Sequence, residues 1–222
     1  ELVAAQLSRS LDPTPARAER LQADGTLRVA TDGLAPHEIV DATRALAPAG
    51  TIATIDAGAH MLVAMPLYEV DEPGEALISS GLATMGFALP AAIAAAIARP
   101  DRHVVCLVGD GGLGMVLAEL ETVARLGLRL VVIVFDDSSL SLIKIKQAAE
   151  GHGGEAAVRY RDVDFAAIGR AVGIPSTRVE TRAALETALH ESFGRSGPSL
   201  IDAVVDPSGY AAIMHAIRGG GA

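Results

Sequence analysis

A three-layer α/β/α fold, built on a mostly parallel sheet of about six strands, is predicted by three features of this chain. Short runs rich in Val, Ile and Leu alternate with segments whose apolar residues recur at helical spacing. Half of the residues are hydrophobic but only 3% are aromatic and none is Trp, so the apolar material is the Ala, Val, Leu and Ile of sheets buried on both faces. At 222 residues the chain is long enough to close one sizeable core.

The elements follow in order. Residues 1–26 are polar and proline-containing and read as a linker or arm from a preceding domain; the folded domain is expected over 27–218, and 219–222 as a disordered tail. "PHEIVDATRALA" (36–47) has the apolar spacing of a helix, "TIATID" (51–56) is a strand running into "AGAH", and "EALISSG" (75–81) is a short strand. An Ala-rich helix follows Met85, and "HVVCLVGDG" is a strand ending in a glycine turn. "LGMVLAELETVARLG" (113–127) reads as a single helix closed by Gly127. "LRLVVIVFDD" (128–137) is a strand, "SLSLIKIKQAAE" (139–150) a short helix and "GHGGEAAVRYRD" (151–162) a loop. The remainder alternates again: "VDFAAIGRAVG" helix, "STRVE" strand, "TRAALETALHESFG" helix, "PSLIDAVV" strand, and a last helix near "YAAIMHAI".

Composition removes several function classes. A net charge of −9 with no basic stripe leaves nothing to neutralise nucleic-acid phosphates. The lone Cys106, inside "HVVCLV", forbids an internal disulfide, reads as a small core residue and fits a reducing, cytoplasmic compartment. No segment reaches the roughly 18 uninterrupted apolar residues of a membrane span. The opening residues lack a signal-peptide core and do not begin with Met, so a piece of a longer polypeptide is expected.

Against this apolar background two acidic sites stand at strand ends. Asp110 lies among glycines after one strand, and Asp136 and Asp137 close the strand that follows one helix later. Carboxylates at the ends of buried strands are costly unless a cation meets them. In "VGDGGLGM" (108–115) the glycines let a ligand approach the backbone, and the helix start presents free N–H groups suited to phosphate. An Asp in such a turn would repel phosphate unless a divalent ion lay between, which points to Mg²⁺ bridging a diphosphate. A GDG alone is an ordinary turn. The second acidic site changes its meaning, because a βαβ unit brings its strand ends together, so that Asp110 and one of Asp136 or Asp137 can share a metal while the other caps the helix near Ser139.

"GDGGLGMVLAELETVARLGLRLVVIVFDD" resembles the thiamine-diphosphate motif, which opens on GDG and closes on an Asn. "TIATIDAGAH" is similar to the Asp-x-Gly-x-His segment of acetolactate synthase-like enzymes, "SSGLATMGFALPAAIAAAIARPDRHVVCLVGDGG" to their run into the metal site, and "GPSLIDAVVD" to their closing strand. The resemblance covers roughly residues 30–210. It implies that Asp110, Asp137 and the carbonyl of Ser139 bind Mg²⁺, and that Gly109, Gly111 and Gly112 cradle the diphosphate of thiamine diphosphate. His60, with Gly58 and Ala59, would lie near the diphosphate; Ala83 and Met85 would meet the aminopyrimidine; Leu140 and Leu142 would line the thiazolium side. Asp137 stands where the family has Asn, and Ala83 where it often has Gly.

The family's activating Glu sits on a separate pyrimidine-binding domain, so no catalytic residue is assigned within this chain. The resemblance implies the cofactor-binding part of a 2-oxo acid decarboxylase or carboligase of the acetolactate synthase-like group, a lyase or transferase. Its pyrimidine-binding domain would come from the same longer chain or a partner subunit, in a homo-oligomer (dimer or tetramer). Two alternatives stand beside it: a simple decarboxylase of the benzoylformate or sulfopyruvate type, or a non-catalytic regulatory or interaction module. Lys144 and Lys146, in "LIKIKQ", are either a solvated helix face or a charge offered to a carboxylate substrate.

Overall fold

The structure is a computed structural model that describes residues 25–151 and 154–217. The expected arm, apart from its last two residues, and the expected tail therefore lie outside the described residues. Six strands, β1 (Ile52–Ile55), β2 (Ala76–Ile78), β3 (Val104–Gly109), β4 (Leu130–Asp136), β5 (Ser176–Val179) and β6 (Ser199–Val204), form one sheet in the order β2-β1-β3-β4-β6-β5. Every pairing is parallel. The expected strand at 75–81 shortens to three residues at the sheet edge.

Side chains of the central strands alternate between two cores, as the period of two requires. Val105, Leu107, Val131, Ile133 and Phe135 face one layer, with α1 (Pro36–Leu46), α2 (Met61–Leu67), α8 (Arg182–Phe193) and α9 (Tyr210–Ile217). Val104, Cys106, Val108, Val132 and Val134 face the other, with α3 (Ala88–Ala98), α4 (Asp110–Met115), α5 (Glu119–Leu126) and α7 (Phe165–Ala171). The helix α6 (Ser141–Ala149) stands at the carboxyl end of β4. Cys106 is fully buried, as a small core residue should be.

One expected helix is two. The run at 113–127 is broken, with α4 beginning at Asp110 itself and α5 starting only at Glu119. Gly111, Gly112 and Gly114 make a poor helix interior, and the chain leaves helical geometry at Val116 (φ −127°, ψ 24°). Gly127, at φ +58°, closes α5 as expected.

After β1 the chain pairs β2 on one side of that strand and later β3 on the other, so the strand order switches between β1 and β3. In parallel sheets such a switch opens a crevice beyond the carboxyl ends of the strands. Ala57–His60 leave β1 and Gly109–Gly112 leave β3 at that position.

Candidate functional site

The β1 exit is organised by Asp56. Its fully buried carboxylate accepts hydrogen bonds from the backbone N–H groups of Gly86 (2.9 Å), Phe87 (2.9 Å) and Ala88 (3.3 Å), which locks the start of α3 beside the strand. Burial raises the Asp56 pKa, and these N–H donors oppose the rise. The turn so anchored carries Ala83 at φ +48° and Gly86 at φ +78°. Ala83 thus holds the left-handed conformation that glycine adopts most easily. The sequence places Asp56 at a strand end and in the Asp-x-Gly-x-His resemblance but assigns it no role, because three N–H groups 30 or more residues away give no local signal.

His60 is 3% exposed and stacks on Phe135, with ring centroids 5.1 Å apart. Its ring lies so close to Gly58 and Gly109 that a Cβ on either would stand 2.8 or 3.1 Å from it. Burial lowers its pKa to about 4, only partly offset by a backbone hydrogen bond at Asp56, so the imidazole is neutral near pH 7. Its buried Nε2 has no hydrogen-bond partner among the described residues.

The two acidic sites meet. The register of β3 against β4, Gly109 beside Phe135, puts the strand exits side by side, and the Asp137 N–H donates to Asp110 Oδ2 at 3.2 Å. Asp110 Oδ1 accepts from Gly111 N at 2.6 Å. Asp137 Oδ1 accepts from Ser139 N (3.1 Å) and Oδ2 from the Ser141 hydroxyl (2.7 Å). Burial raises the pKa of both carboxyls, Asp137 to about 6, and the charge of Asp137 adds to the rise at Asp110.

Asp136 does not cap the helix after β4, contrary to the sequence expectation. It leaves the strand on the opposite side, where Oδ2 stands 3.2 Å from Arg178, and Arg178 also reaches Asp202 (3.0 Å) and Asp162 (2.8 Å). With Asp136 2% and Asp202 0% exposed, the guanidinium is what a buried carboxylate there requires. The helix start at Leu140 carries no side-chain cap, and Asp137 instead bridges to Ser139 and Ser141.

All thirteen cofactor-binding positions expected from the sequence line one cleft of about 240 Å³: Gly58, Ala59, His60, Ala83, Met85, Gly109, Asp110, Gly111, Gly112, Asp137, Ser139, Leu140 and Leu142. Ala57, Met61, Phe135, Ser141, Ile143, Lys146 and Tyr210 also line it and had been given no role in cofactor binding. Apolar or serine residues in helix and strand patterns carry no signal that distinguishes a cleft wall from a core. Lys144 turns away and pairs with Glu155 at 2.8 Å.

The cleft suits a diphosphate tied to a cation. A Cβ at Gly111 would meet Leu140 at 2.7 Å, the Tyr160 hydroxyl at 3.2 Å and Met85 at 3.4 Å, so the bare backbone there is the floor of a narrow cradle. Beside it stand two carboxylates whose burial disfavours their charge, together with an orphaned imidazole nitrogen. No group of three His, Cys, Asp or Glu side chains among the described residues is placed to hold a metal ion by itself, so an ion here would complete its shell with backbone carbonyls, water or phosphate oxygens, as Mg²⁺ commonly does.

The family described as "Thiamine pyrophosphate enzyme, C-terminal TPP binding domain" matches residues 56–203, from the Asp56 turn to the penultimate residue of β6. The chain belongs to this family. Among curated relatives of this thiamine pyrophosphate (TPP, thiamine diphosphate) domain, acetolactate synthase isozyme 1 large subunit of Escherichia coli K12 is 34% identical over 178 residues, 80% of this chain and 32% of that protein. A probable acetolactate synthase large subunit of Methanococcus aeolicus is 33% identical over 159 residues, 71% of this chain and 26% of that protein. The chain thus spans about a third or less of the length of these relatives. Among solved structures, the thiamine diphosphate-dependent 4-hydroxybenzoylformate decarboxylase of Rhodococcus jostii RHA1 has the same fold, with a TM-score of 0.74 at 23% identity over 81% of this chain and 34% of that one. The TPP-binding domain is a single parallel six-stranded α/β unit, and no helix among its described residues is long and apolar enough to cross a membrane.

Proposed function

We propose that this TPP-binding domain holds the diphosphate and a Mg²⁺ ion in an acetolactate synthase-like decarboxylase or carboligase acting on a 2-oxo acid. The observation that carries the reading is the meeting of Asp110 and Asp137 beside the Gly109–Gly112 turn, at the switch between β1 and β3. In this reading Asp110, Asp137 and the Ser139 carbonyl bind the metal, and the N–H groups of Gly109, Gly111 and Gly112 receive phosphate oxygens. His60, with Gly58 and Ala59, lies against the diphosphate and offers it a neutral imidazole. Ala83 and Met85 support the pyrimidine, their turn fixed by Asp56, and Leu140 and Leu142 exclude water from the thiazolium side. The bound cofactor supplies an electron sink for the carbon–carbon bond that breaks, while the protein supplies orientation and electrostatics.

The share of its relatives that this chain spans supports a second part of the reading. A pyrimidine-binding domain, in the same polypeptide or a partner subunit of a homo-oligomer, completes the cleft and supplies the activating Glu. The lone, buried Cys106 is consistent with a cytoplasmic enzyme.

Calorimetric titration with thiamine diphosphate, with and without Mg²⁺, tests the metal assignment in the complete assembly. Asp110→Ala should abolish the Mg²⁺-dependent binding. Unchanged binding would reject the assignment.

A further inference from the structure

Lys146, in the second turn of α6, is the one lysine or arginine among the described residues lining the cleft. Lys144, two positions earlier, is neutralised by Glu155 at 2.8 Å, whereas no Asp or Glu among the described residues forms an ion pair with Lys146. Lys146 lies four residues after Leu142, on the same helix face. It also lies five residues beyond Ser141, whose hydroxyl bonds Asp137. At about 1.5 Å per residue, its backbone stands roughly 7.5 Å further along the helix than that contact. The cleft is therefore polarised. Along α6 its wall runs from Ser141, bonded to Asp137, past the apolar Leu142 and Ile143 to Lys146, an exposed ammonium without an acidic partner among the described residues. His60 adds no charge, because burial keeps it neutral.

We infer that Lys146 selects substrates bearing a second anionic group: a 2-oxo acid whose side chain ends in a carboxylate, sulfonate or phosphate. This rests on the cofactor reading of the same cleft and deepens it by naming the substrate class. The carboxylate next to the ketone is the wrong partner for the lysine. In decarboxylation its bond to the carbonyl carbon breaks, the electron pair stays with that carbon and CO₂ leaves, so an ion pair made there would stabilise the ground state more than the transition state. A distal anion keeps its charge throughout. Pairing with it strengthens binding of ground and transition states alike and raises kcat/KM without opposing bond cleavage. A lysine ammonium, a flexible point charge with rotatable donors, suits tails of differing geometry better than a planar guanidinium fork.

The test uses the complete enzyme, with wild type, Lys146→Met and Lys146→Arg compared on 2-oxobutyrate, 2-oxoglutarate, 3-sulfopyruvate and 3-phosphonopyruvate. The wild type should favour one or more of the dianionic acids, and which one identifies the tail. Lys146→Met should reduce the ratio of kcat/KM for that acid over 2-oxobutyrate by about two- to fivefold, the range for an exposed charge pair. Lys146→Arg should restore most of it. A readout independent of turnover is calorimetric binding of unreactive glutarate against butyrate to the cofactor-loaded protein, where the Met variant should lose glutarate affinity selectively. A ratio that moves less than twofold, or an equal loss for mono- and dianionic ligands, overturns the lysine assignment. Titration with thiamine diphosphate and Mg²⁺ separates the two levels of failure. If the wild type binds no cofactor, the reading of the cleft itself falls; if it binds cofactor and the ratio is unmoved, only the role of Lys146 falls.

Discussion

Adjacent glycines in the turn after β3 do different work. A Cβ at Gly112 would collide with Asp56 Oδ2, on a buried carboxylate held by three backbone N–H groups. Gly112→Ala should therefore displace Asp56 and destabilise the fold by at least ~2 kcal/mol, read by denaturant unfolding. At Gly111 the Cβ would meet the far ends of Leu140, Tyr160 and Met85, which can swing aside. Gly111→Ala should keep the melting temperature within a few degrees and lose cofactor affinity instead, in titrations of the loaded protein. His60 gives a pH signature. Its folded pKa of about 4 lies below the ordinary 6.5, so the unfolded chain takes up the proton first, and the stability due to the neutral ring is lost as pH falls from 6.5 toward 4. Relative to His60→Gln, the wild type should lose up to about 3 kcal/mol more across that window. In NMR spectra the His60 ring should not titrate between pH 5.5 and 8.

At the scale of elements, the β4 exit sends its two aspartates to opposite sides. Asp137 joins Asp110 in the cleft while Asp136 joins Asp202 on Arg178 of β5. Arg178 thus ties the second acidic strand end to the far edge of the sheet. Arg178→Met would leave two buried carboxylates unpaired and should cost about 3 kcal/mol or more. Asp136 and Asp202 already sit near pKa 6, raised by burial, so the folded state holds these protons more tightly than the unfolded chain does. The stability they contribute is lost as pH rises through 6, and losing Arg178 should hurt more at pH 8 than at pH 5 in thermal melts. The buried strands β3 and β4, the acidic strand ends and the closing Gly127 were all legible in the sequence. The Arg178 bridge was not, because it joins residues 24 to 42 positions apart across the sheet by a rotamer choice. The break at Val116 escaped for a different reason. The apolar spacing of 113–127 continues through it, and only glycines crowded into the first turn hint that the helix opens at Asp110.

For the molecule as a whole, the parallel sheet and its switch point follow from alternating strands and helices, and they gather all thirteen expected positions around one cleft. What lay beyond the sequence is which of the two lysines reaches the cleft: α6 brings Lys146 to the wall, while Lys144 pairs with Glu155. If a second domain completes the site, this chain alone should show no 2-oxo acid decarboxylation, whereas adding its pyrimidine-binding partner should yield CO₂ release; turnover by the chain alone would contradict the division of labour. The most direct test is the anomalous scattering map of the complete protein crystallised with thiamine diphosphate and Mn²⁺. One peak should lie about 2.1 Å from carboxylate oxygens of both Asp110 and Asp137, with the Ser139 carbonyl and diphosphate oxygens completing an octahedron. Cofactor bound in the cleft with the ion elsewhere, or with either aspartate outside its coordination shell, would contradict the account.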